Sequence, residues 1–152
     1  MLSAQIKKKI KKVFLNGAIS ADFIAQSIAK HALKKEIGAH SIFLGQVRND
    51  LIEDKKVIAI EYSTYESMAE LNFHTIREEI IQKFDLTCMH IYHSLGLVNA
   101  GEISLFVFTS SVHRKAAIQA CEEIVERIKQ SVPVWGKEIF EDETHRWKKN
   151  NV

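Results

Sequence analysis

The sequence predicts an α+β fold: one domain, residues 1–152, with helices packed on a mixed or antiparallel sheet. Strand-like and helix-like segments are mixed without the regular βαβ repeat of a parallel sheet. Hydrophobic residues make up 46% and charged residues 26% of the 152 residues, a balance typical of one domain with its own core. Six glycines and one proline form no linker, repeat or low-complexity tract that would divide the chain.

The first half of the chain carries signals for two helices and two strands. Ser20 is a suitable N-cap for a helix that ends near residue 31. Strands are predicted over residues 39–47 and 57–62. Ser63 and Glu66 have the spacing of a capping box, which predicts a long helix that ends near Lys83. The apolar side of the first helix is predicted to be Phe23, Ile24, Ile28 and Leu33. On the second helix, Met68, Leu71, Thr75 and Ile76 recur at helical spacing, and its Phe, Ile and Met positions are expected in the core.

The second half predicts three strands and one helix. Residues 86–93 and 103–110 have strand character and are joined by a predicted turn at residues 96–101; the second strand is the strongest β signal in the chain. Ser110 and Ser111 offer caps for a helix over residues 114–129, and Pro133 separates that helix from a last strand at 134–140. The predicted buried stripe of this helix is Ala117, Ala120, Cys121, Ile124 and Ile128.

Positive charge is concentrated at the two ends of the chain. Residues 1–19 form a basic N-terminal segment, and His145, Arg146, Lys148 and Lys149 form a second cluster. We interpret both as solvated terminal segments, and the second also as a possible contact for a small anionic substrate. The net charge of +2 is small for an RNA-binding domain.

Cysteine and histidine usage predicts a cytoplasmic protein without a metal centre. No apolar run approaches the roughly 18 residues of a membrane span, and the N-terminus lacks the apolar core of a secretory signal. Cys88 and Cys121 lie far apart, so we expect two reduced core thiols rather than a disulfide framework. The seven histidines have no ligand spacing, and His93 is interpreted as a hydrogen-bonded structural residue.

Two short stretches are candidates for anion binding. Arg48 follows a strand in the sequence GQVRND, where it is either an ordinary surface arginine or a fork for a carboxylate or phosphate. His113 and Arg114 lie at the predicted start of a helix, where free backbone N–H groups attract anions. The alternative there is a helix cap with two solvated side chains.

Lys129 and Lys137 flank the proline turn and are the candidate catalytic lysines. Burial or neighbouring cations lower the pKa of a lysine enough for proton transfer or nucleophilic attack. Taken alone, Lys129 is better explained as a favourable cation at a helix C-terminus. The residues by themselves therefore indicate an anion-binding α+β domain with two candidate lysines, and no particular reaction.

Five stretches, taken in order, resemble the catalytic subunit family of molybdopterin synthase, over residues 38–147. They are GAHSIFLGQVRN at 38–49, IEYSTYESMA at 60–69, HSLG at 93–96 with GE at 101–102, SSVHR at 110–114, and PVWGKE at 133–138. Each stretch is modestly specific. Their common order is a strong resemblance.

The resemblance implies a hammerhead-like domain with sulfurtransferase activity in the cytoplasm. A small ubiquitin-like partner with a C-terminal thiocarboxylate would supply two sulfurs to cyclic pyranopterin monophosphate, which becomes molybdopterin. The matching residues are Arg48, His113 and Arg114 as substrate binders and Lys129 as the catalytic lysine. No metal or diffusible cofactor is implied, because the partner carries the sulfur.

One departure from the family pattern concerns a second functional lysine. Many members have lysine directly after the tryptophan, where this chain has Gly136, and Lys137 follows. We carry Lys137 over as the second catalytic residue, although adjacent strand residues point to opposite faces. The departure also favours the main alternative, a non-catalytic homologue that keeps the pterin pocket or the partner contact. A purely structural oligomer leaves the ordered motifs unexplained.

The predicted helix also has an implication for assembly. Arg114 and Lys129 are 15 residues apart, or about 22 Å at about 1.5 Å per residue. One small pterin would not reach both ends. Either the two ends have different functions, or a second subunit brings its His113 and Arg114 to Lys129. The resemblance implies the latter: a homodimer of large subunits with one small partner at each end, a heterotetramer.

Overall fold

The computed structural model describes residues 11–149, and within them eight strands and three α-helices form one domain. The strands are β1 (Phe14–Asn16), β2 (Ala39–Gln46), β3 (Leu51–Ile52), β4 (Lys55–Thr64), β5 (Cys88–Asn99), β6 (Ile103–Ser111), β7 (Val134–Phe140) and β8 (His145–Trp147). The helices are α1 (Ala21–Lys30), α2 (Glu66–Lys83) and α3 (Arg114–Ser131). A single 3-10 turn (His31–Leu33) follows α1.

The sheet has the order β2-β6-β5-β4-β7-β8, and these neighbours are antiparallel. β1 pairs with β5 in parallel and β3 pairs with β4, so the predicted mixed or antiparallel α+β fold is confirmed. β5 connects the two halves of the sheet because its first part pairs with β6 and its last part with β4. The candidate site described below lies beside this junction.

Helices cover both faces of the central strands. Leu105 and Val107 of β6 belong to the cluster that packs α2 and α3 on the sheet. Phe106 and Phe108 point to the other face, against side chains of α1. Burial on both faces explains the strong apolar signal of this strand. The predicted stripe of α3 is buried in full: Ala117, Ala120, Cys121, Ile124 and Ile128.

The start and the buried face of α2 differ from the prediction. The capping box is wrong: Tyr65 is the N-cap without a side-chain cap, because β4 continues through Thr64 and Ser63 remains paired with β7. The buried side is Ala69, Phe73, Ile76, Arg77 and Ile80. Met68 is 54% exposed, so its assignment to the core is wrong, and Leu71 is 50% exposed.

Other boundaries shift because strand pairing continues past local turn signals. β5 extends through Gly96 to Asn99, since residues 96–99 pair with β4, and the predicted turn at 96–101 shrinks to residues 100–102. Ser111 lies in β6 and His113 is the N-cap of α3, although Ser111 Oγ accepts a hydrogen bond from Ala117 N at 3.0 Å. Ser20 caps α1 as predicted.

The chain ends are more structured than the sequence indicated. Val13 and Phe14, within the basic N-terminal segment, are buried in the core, and β8 pairs with β7. Lys7, Lys8 and Lys9 lie outside the described residues. Leu33 is 87% exposed and does not belong to the core. No helix in the described part of the chain is both long and apolar enough to cross a membrane.

Candidate active site

A cavity of about 330 Å³ opens where α3 ends and β7 begins. Tyr62 of β4 and His93 of β5 line it from the sheet, and Lys129 lines it from the last turn of α3. The chain between helix and strand is held by a hydrogen bond from Thr64 Oγ1 to the Pro133 carbonyl, 2.6 Å long. The remaining lining residues are Ile128, Gln130, Ser131, Val132, Pro133, Val134, Trp135, Gly136 and Lys148.

Lys129 is in an environment that disfavours its charged form. The surrounding protein desolvates the ammonium and lowers its pKa below the ordinary 10.5, and the charges of Lys148 and Arg48 lower it further. The side chain still reaches solvent, so desolvation is partial. The residue therefore combines accessibility with a weakened hold on its proton, as a proton-transfer group requires.

His93 and Tyr62 form a neutral wall of the cavity. His93 is 6% exposed, and burial lowers its pKa to about 4, so the imidazole is uncharged at neutral pH. Its Nδ1 donates to the Ser94 carbonyl at 2.7 Å, which confirms the expected hydrogen-bonded structural histidine. Burial raises the pKa of Tyr62, whose hydroxyl donates to Ser104 Oγ at 3.2 Å. The positive charge at the cavity thus comes from lysine and arginine.

Arg48 contributes to this charge from the loop after β2. Its guanidinium pairs with Asp50, with Nε 3.2 Å from Oδ1, and both side chains are substantially exposed. An exposed pair of this kind adds little stability. Its effect on the pKa of Lys129 indicates that the two side chains share one electrostatic environment. Asp50 holds the arginine in place while leaving it open to an anion.

Lys137 lies in a different environment from Lys129. Its Nζ is 3.6 Å from Glu61 Oε1 and 5.8 Å from the centre of the Trp147 ring. The adjacent Gly136 lines the cavity, as strand alternation requires, whereas Lys137 is not among the described residues that line it. A Cβ at Gly136 would meet Ile60 Cγ2 at 3.0 Å and Tyr62 Cε1 at 3.4 Å.

Lys148 is a cavity residue that the sequence indicated only as one member of a basic cluster. It lines the cavity, its backbone N–H donates to the Gly136 carbonyl at 2.8 Å, and its charge acts on Lys129. The basic cluster at residues 145–149 was the available signal. The pairing of β8 with β7, which carries Lys148 back to Gly136, was not visible in the sequence.

His113 and Arg114 lie at the opposite end of α3. Both are exposed and line a shallow groove with Lys115, Ile118 and Gln119. The first turn of α3 carries no acidic residue, and within residues 11–149 no carboxylate pairs with Arg114. Helix N–H groups and cations thus face solvent together, an arrangement that favours an anion.

Comparison with known proteins identifies the family of the chain. The model of the family described as MoaE protein matches residues 18–131, about three quarters of the chain. The chain is 34% identical to the molybdopterin synthase catalytic subunit of Bos taurus over 148 residues, 96% of this chain and 76% of the relative. Its identity to the Bacillus subtilis subunit is 41% over 117 residues, 77% of this chain and 74% of the relative. The chain belongs to the MoaE family of molybdopterin synthase catalytic subunits.

Solved structures share this MoaE fold. Molybdopterin synthase from Staphylococcus aureus superposes with a TM-score of 0.78 at 32% identity, covering 90% of this chain and 95% of the other. The complex of subunits 1 and 2 of molybdopterin-converting factor from Helicobacter pylori has a TM-score of 0.77 at 22% identity, covering 91% and 90%. Family membership connects the chain with molybdenum cofactor biosynthesis.

Within this MoaE-family chain, four of the five predicted site residues fall into two groups, and Lys137 belongs to neither. Lys129 and Lys148 line the cavity, and the charge of Arg48 acts on Lys129 from outside the described lining. His113 and Arg114 lie at the far end of a continuous helix, Arg114–Ser131. One chain therefore presents two separate cationic regions.

Proposed function

We propose that the chain catalyses the transfer of two sulfurs, one from each of two thiocarboxylated small subunits, to cyclic pyranopterin monophosphate, forming molybdopterin and leaving each small subunit as a carboxylate. The observation that carries this proposal is Lys129, whose pKa is lowered in a cavity that also receives Lys148 and the field of Arg48. Both reactants are anions, a thiocarboxylate and a phosphate. A site with several cations and a neutral histidine suits them electrostatically.

Lys129 acts on the reacting sulfur in this proposal. As the ammonium it stabilises the thiocarboxylate and the negative charge that develops during transfer. Because its pKa is lowered, it also exchanges protons more readily than an ordinary lysine. The partner brings the sulfur, so the scheme uses no metal or diffusible cofactor, and we place it in the cytoplasm.

The small subunit's tail enters past an aromatic rim. Tyr65 and Trp135 pack edge-to-face with ring centres 5.8 Å apart, yet they remain 68% and 45% exposed. Met68, on the next turn of α2, is also exposed. Exposed aromatic and methionine side chains beside a polar cavity are typical of a protein-binding surface.

Lys148 is the better candidate than Lys137 for the second functional lysine. Lys148 lines the cavity, and its backbone N–H donates to the carbonyl of Gly136, the residue at the family's lysine position. Lys137 instead pairs with Glu61 and lies over the Trp147 ring, and its catalytic role remains a prediction. Lys148→Ala should therefore reduce turnover more than Lys137→Ala, with Lys149→Ala as the matched control. Equal turnover in the Lys148 and Lys149 variants would contradict the assignment.

The phosphate and pterin are bound by Arg48 together with His113 and Arg114 of a second subunit. The α3 helix separates the two cationic regions by about 22 Å, too far for one small substrate within one chain. A homodimer supplies both regions to one pocket, and a small subunit at each end completes a heterotetramer. The outer strand β2 supports self-association, because Ile42, Phe43 and Leu44 are 37%, 36% and 40% exposed along it.

Reconstitution tests the proposal. The purified chain would be mixed with thiocarboxylated small subunit and cyclic pyranopterin monophosphate, and the dithiolene product measured as its fluorescent oxidised derivative. Lys129→Ala should abolish turnover while leaving partner binding close to wild type, and Lys35→Ala, an exposed lysine outside the cavity, should leave both unchanged. Equal loss of turnover and binding in Lys129→Ala would make Lys129 a docking residue.

Gly136 favours one alternative, a homologue that binds pterin or partner without turnover. That alternative predicts a stable complex with the small subunit and no dithiolene product. Adding a lysine at the family position would then be informative: Gly136→Lys should create activity in a degenerate homologue. In an enzyme that uses Lys148 it should add little, because Lys148 already supplies a second lysine at the cavity.

A further inference from the structure

A second constellation of chemically reactive side chains lies away from the cavity. His31 follows α1, and Cys88 and His90 lie on β5. One ligand atom from each residue lies within 4.8 Å of the other two. His31 Nε2 and His90 Nε2 are only 3.0 Å apart. Two distant segments therefore place two imidazoles and one thiol around a single point.

The hydrogen bonding of His31 directs a lone pair to that point. Its Nδ1 is 2.7 Å from the Ser27 carbonyl, which can only accept, so the proton is on Nδ1. In the neutral ring Nε2 then carries the lone pair and faces His90. A backbone carbonyl that fixes one nitrogen while the other faces a ligand is the usual support of a metal-binding histidine.

We propose that His31, Cys88 and His90 bind a zinc ion, with a fourth position open to solvent. Tetrahedral zinc with bonds of about 2.0 Å to nitrogen and 2.3 Å to sulfur separates its ligand atoms by about 3.3 to 3.6 Å. The nitrogens, at 3.0 Å, need to move apart by a few tenths of an ångström. The hydrogen between them must pass to Nδ1 of His90 or to solvent, and Cys88 must release its thiol proton to solvent because the thiolate is the ligand.

The surroundings define the fourth ligand. Cys88 and His90 line a cavity of about 500 Å³ whose wall includes Lys11, Lys34 and Arg77. These cations oppose a divalent ion, and the Cys88 thiolate offsets part of that repulsion. A small anion, such as chloride or hydroxide, is therefore the expected fourth ligand.

Lys34 competes with the metal for Cys88. Its Nζ lies 3.0 Å from Cys88 Sγ and must leave when zinc binds. Lys34→Gln should therefore tighten zinc binding several-fold, whereas Lys35→Gln should not change it. A residue that merely stabilised the fold around the cluster would not produce tighter binding when removed.

Zinc and cobalt titrations of the full chain, without pterin or small subunit, test the site independently of the proposed reaction. We expect one zinc per chain and, with Co²⁺, a thiolate-to-metal charge-transfer band with the d–d absorption of tetrahedral coordination. Cys88→Ser should remove the charge-transfer band although Cys121 is retained. His90→Ala removes a direct ligand and should weaken zinc binding by more than the roughly 10- to 100-fold typical of losing an outer-shell partner, and His145→Ala should leave it unchanged.

Cys88 and His90 are only partly buried, so circular dichroism should show both variants folded. A wild-type cobalt spectrum without the thiolate band would overturn the proposal. So would unchanged zinc affinity in folded Cys88→Ser.

Discussion

Subunit mixing tests whether one active site is built from two chains. The perturbation is a pair of single variants, Lys129→Ala and Arg114→Ala, each expected to be inactive alone. Both residues lie on α3, a continuous helix that separates them by about 22 Å. If each pocket takes Lys129 from one subunit and Arg114 from the other, a mixed dimer has one intact pocket and one with both substitutions.

The expected recovery follows from the symmetry of the dimer. Random exchange of equal amounts yields mixed dimers as half of the population, and each has one working pocket of two. Activity should therefore return to roughly one quarter of wild type. If both residues served a pocket within their own chain, both pockets of a mixed dimer would be defective.

The assay is dithiolene formation after unfolding and co-refolding the two variants, or after co-expressing them with different tags. A chain with both substitutions, mixed with wild type, is the matched control for exchange. A mixed dimer of this control has one intact and one doubly defective pocket only if each pocket is formed within one chain. Activity at background level in purified mixed dimers of the single variants would refute the shared pocket.

Three further predictions concern stability. Burial lowers the pKa of Lys129 in the folded chain, so the charged lysine destabilises the fold below that pKa, and the destabilisation fades as pH rises toward 10.5. Lys129→Met should therefore raise the urea midpoint at pH 7 while removing turnover. A lower midpoint would contradict the desolvation. The pKa of His93 is about 4 in the folded chain against an ordinary 6.5, so the free energy of unfolding should fall by up to about 3 kcal/mol as pH drops from 6.5 to 4. His93→Asn should flatten this pH dependence in urea titrations. An unchanged slope would assign the pH dependence to other groups. Gly38→Ala should destabilise the chain by about 2 kcal/mol, because the new Cβ would lie 2.1 Å from the Val112 carbonyl oxygen. Thermal unfolding measures this loss. Wild-type stability of the variant would mean that the loop before α3 moves aside at little energetic cost.

Segments with strong periodicity could be predicted well from the sequence. The buried stripe of α3 and the two-faced burial of β6 follow from side chains that repeat at the period of their own element. The Ser20 cap could also be predicted, because a cap involves neighbours in sequence. In these cases the local signal and the tertiary structure agree.

The errors arise where distant pairing outweighs a local signal. Ser63 matches a capping box, but its pairing with Trp135 of β7 keeps it in a strand. Gly96 resembles a turn residue, yet with φ +81° it is retained within β5 opposite Tyr62. The buried face of α2 is offset by one residue from the predicted one because the sheet, rather than the helix pattern, selects Ala69 over Met68.

The candidate site could be predicted only in part for the same reason. Arg48 and Lys129 were candidates from the residues and received roles through the resemblance, and in the structure the charge of Arg48 acts on Lys129. Lys148 depended on the return of the chain through β8, a contact that no local pattern encodes. The cluster of His31, Cys88 and His90 joins two segments far apart in sequence, so no ligand spacing in the sequence predicted it.

The α3 helix has a consequence for how the family can vary. Each residue along an α-helix turns the next side chain by about 100° and advances it by about 1.5 Å. A single insertion between Arg114 and Lys129 would rotate one cationic region away from its cavity even if the core repacked perfectly. Insertion of a near-complete turn would preserve direction but displace the region by about 5 to 6 Å. The number of residues in this helix is thus constrained by function as well as by folding, so the loops around it are where changes in length can be accommodated.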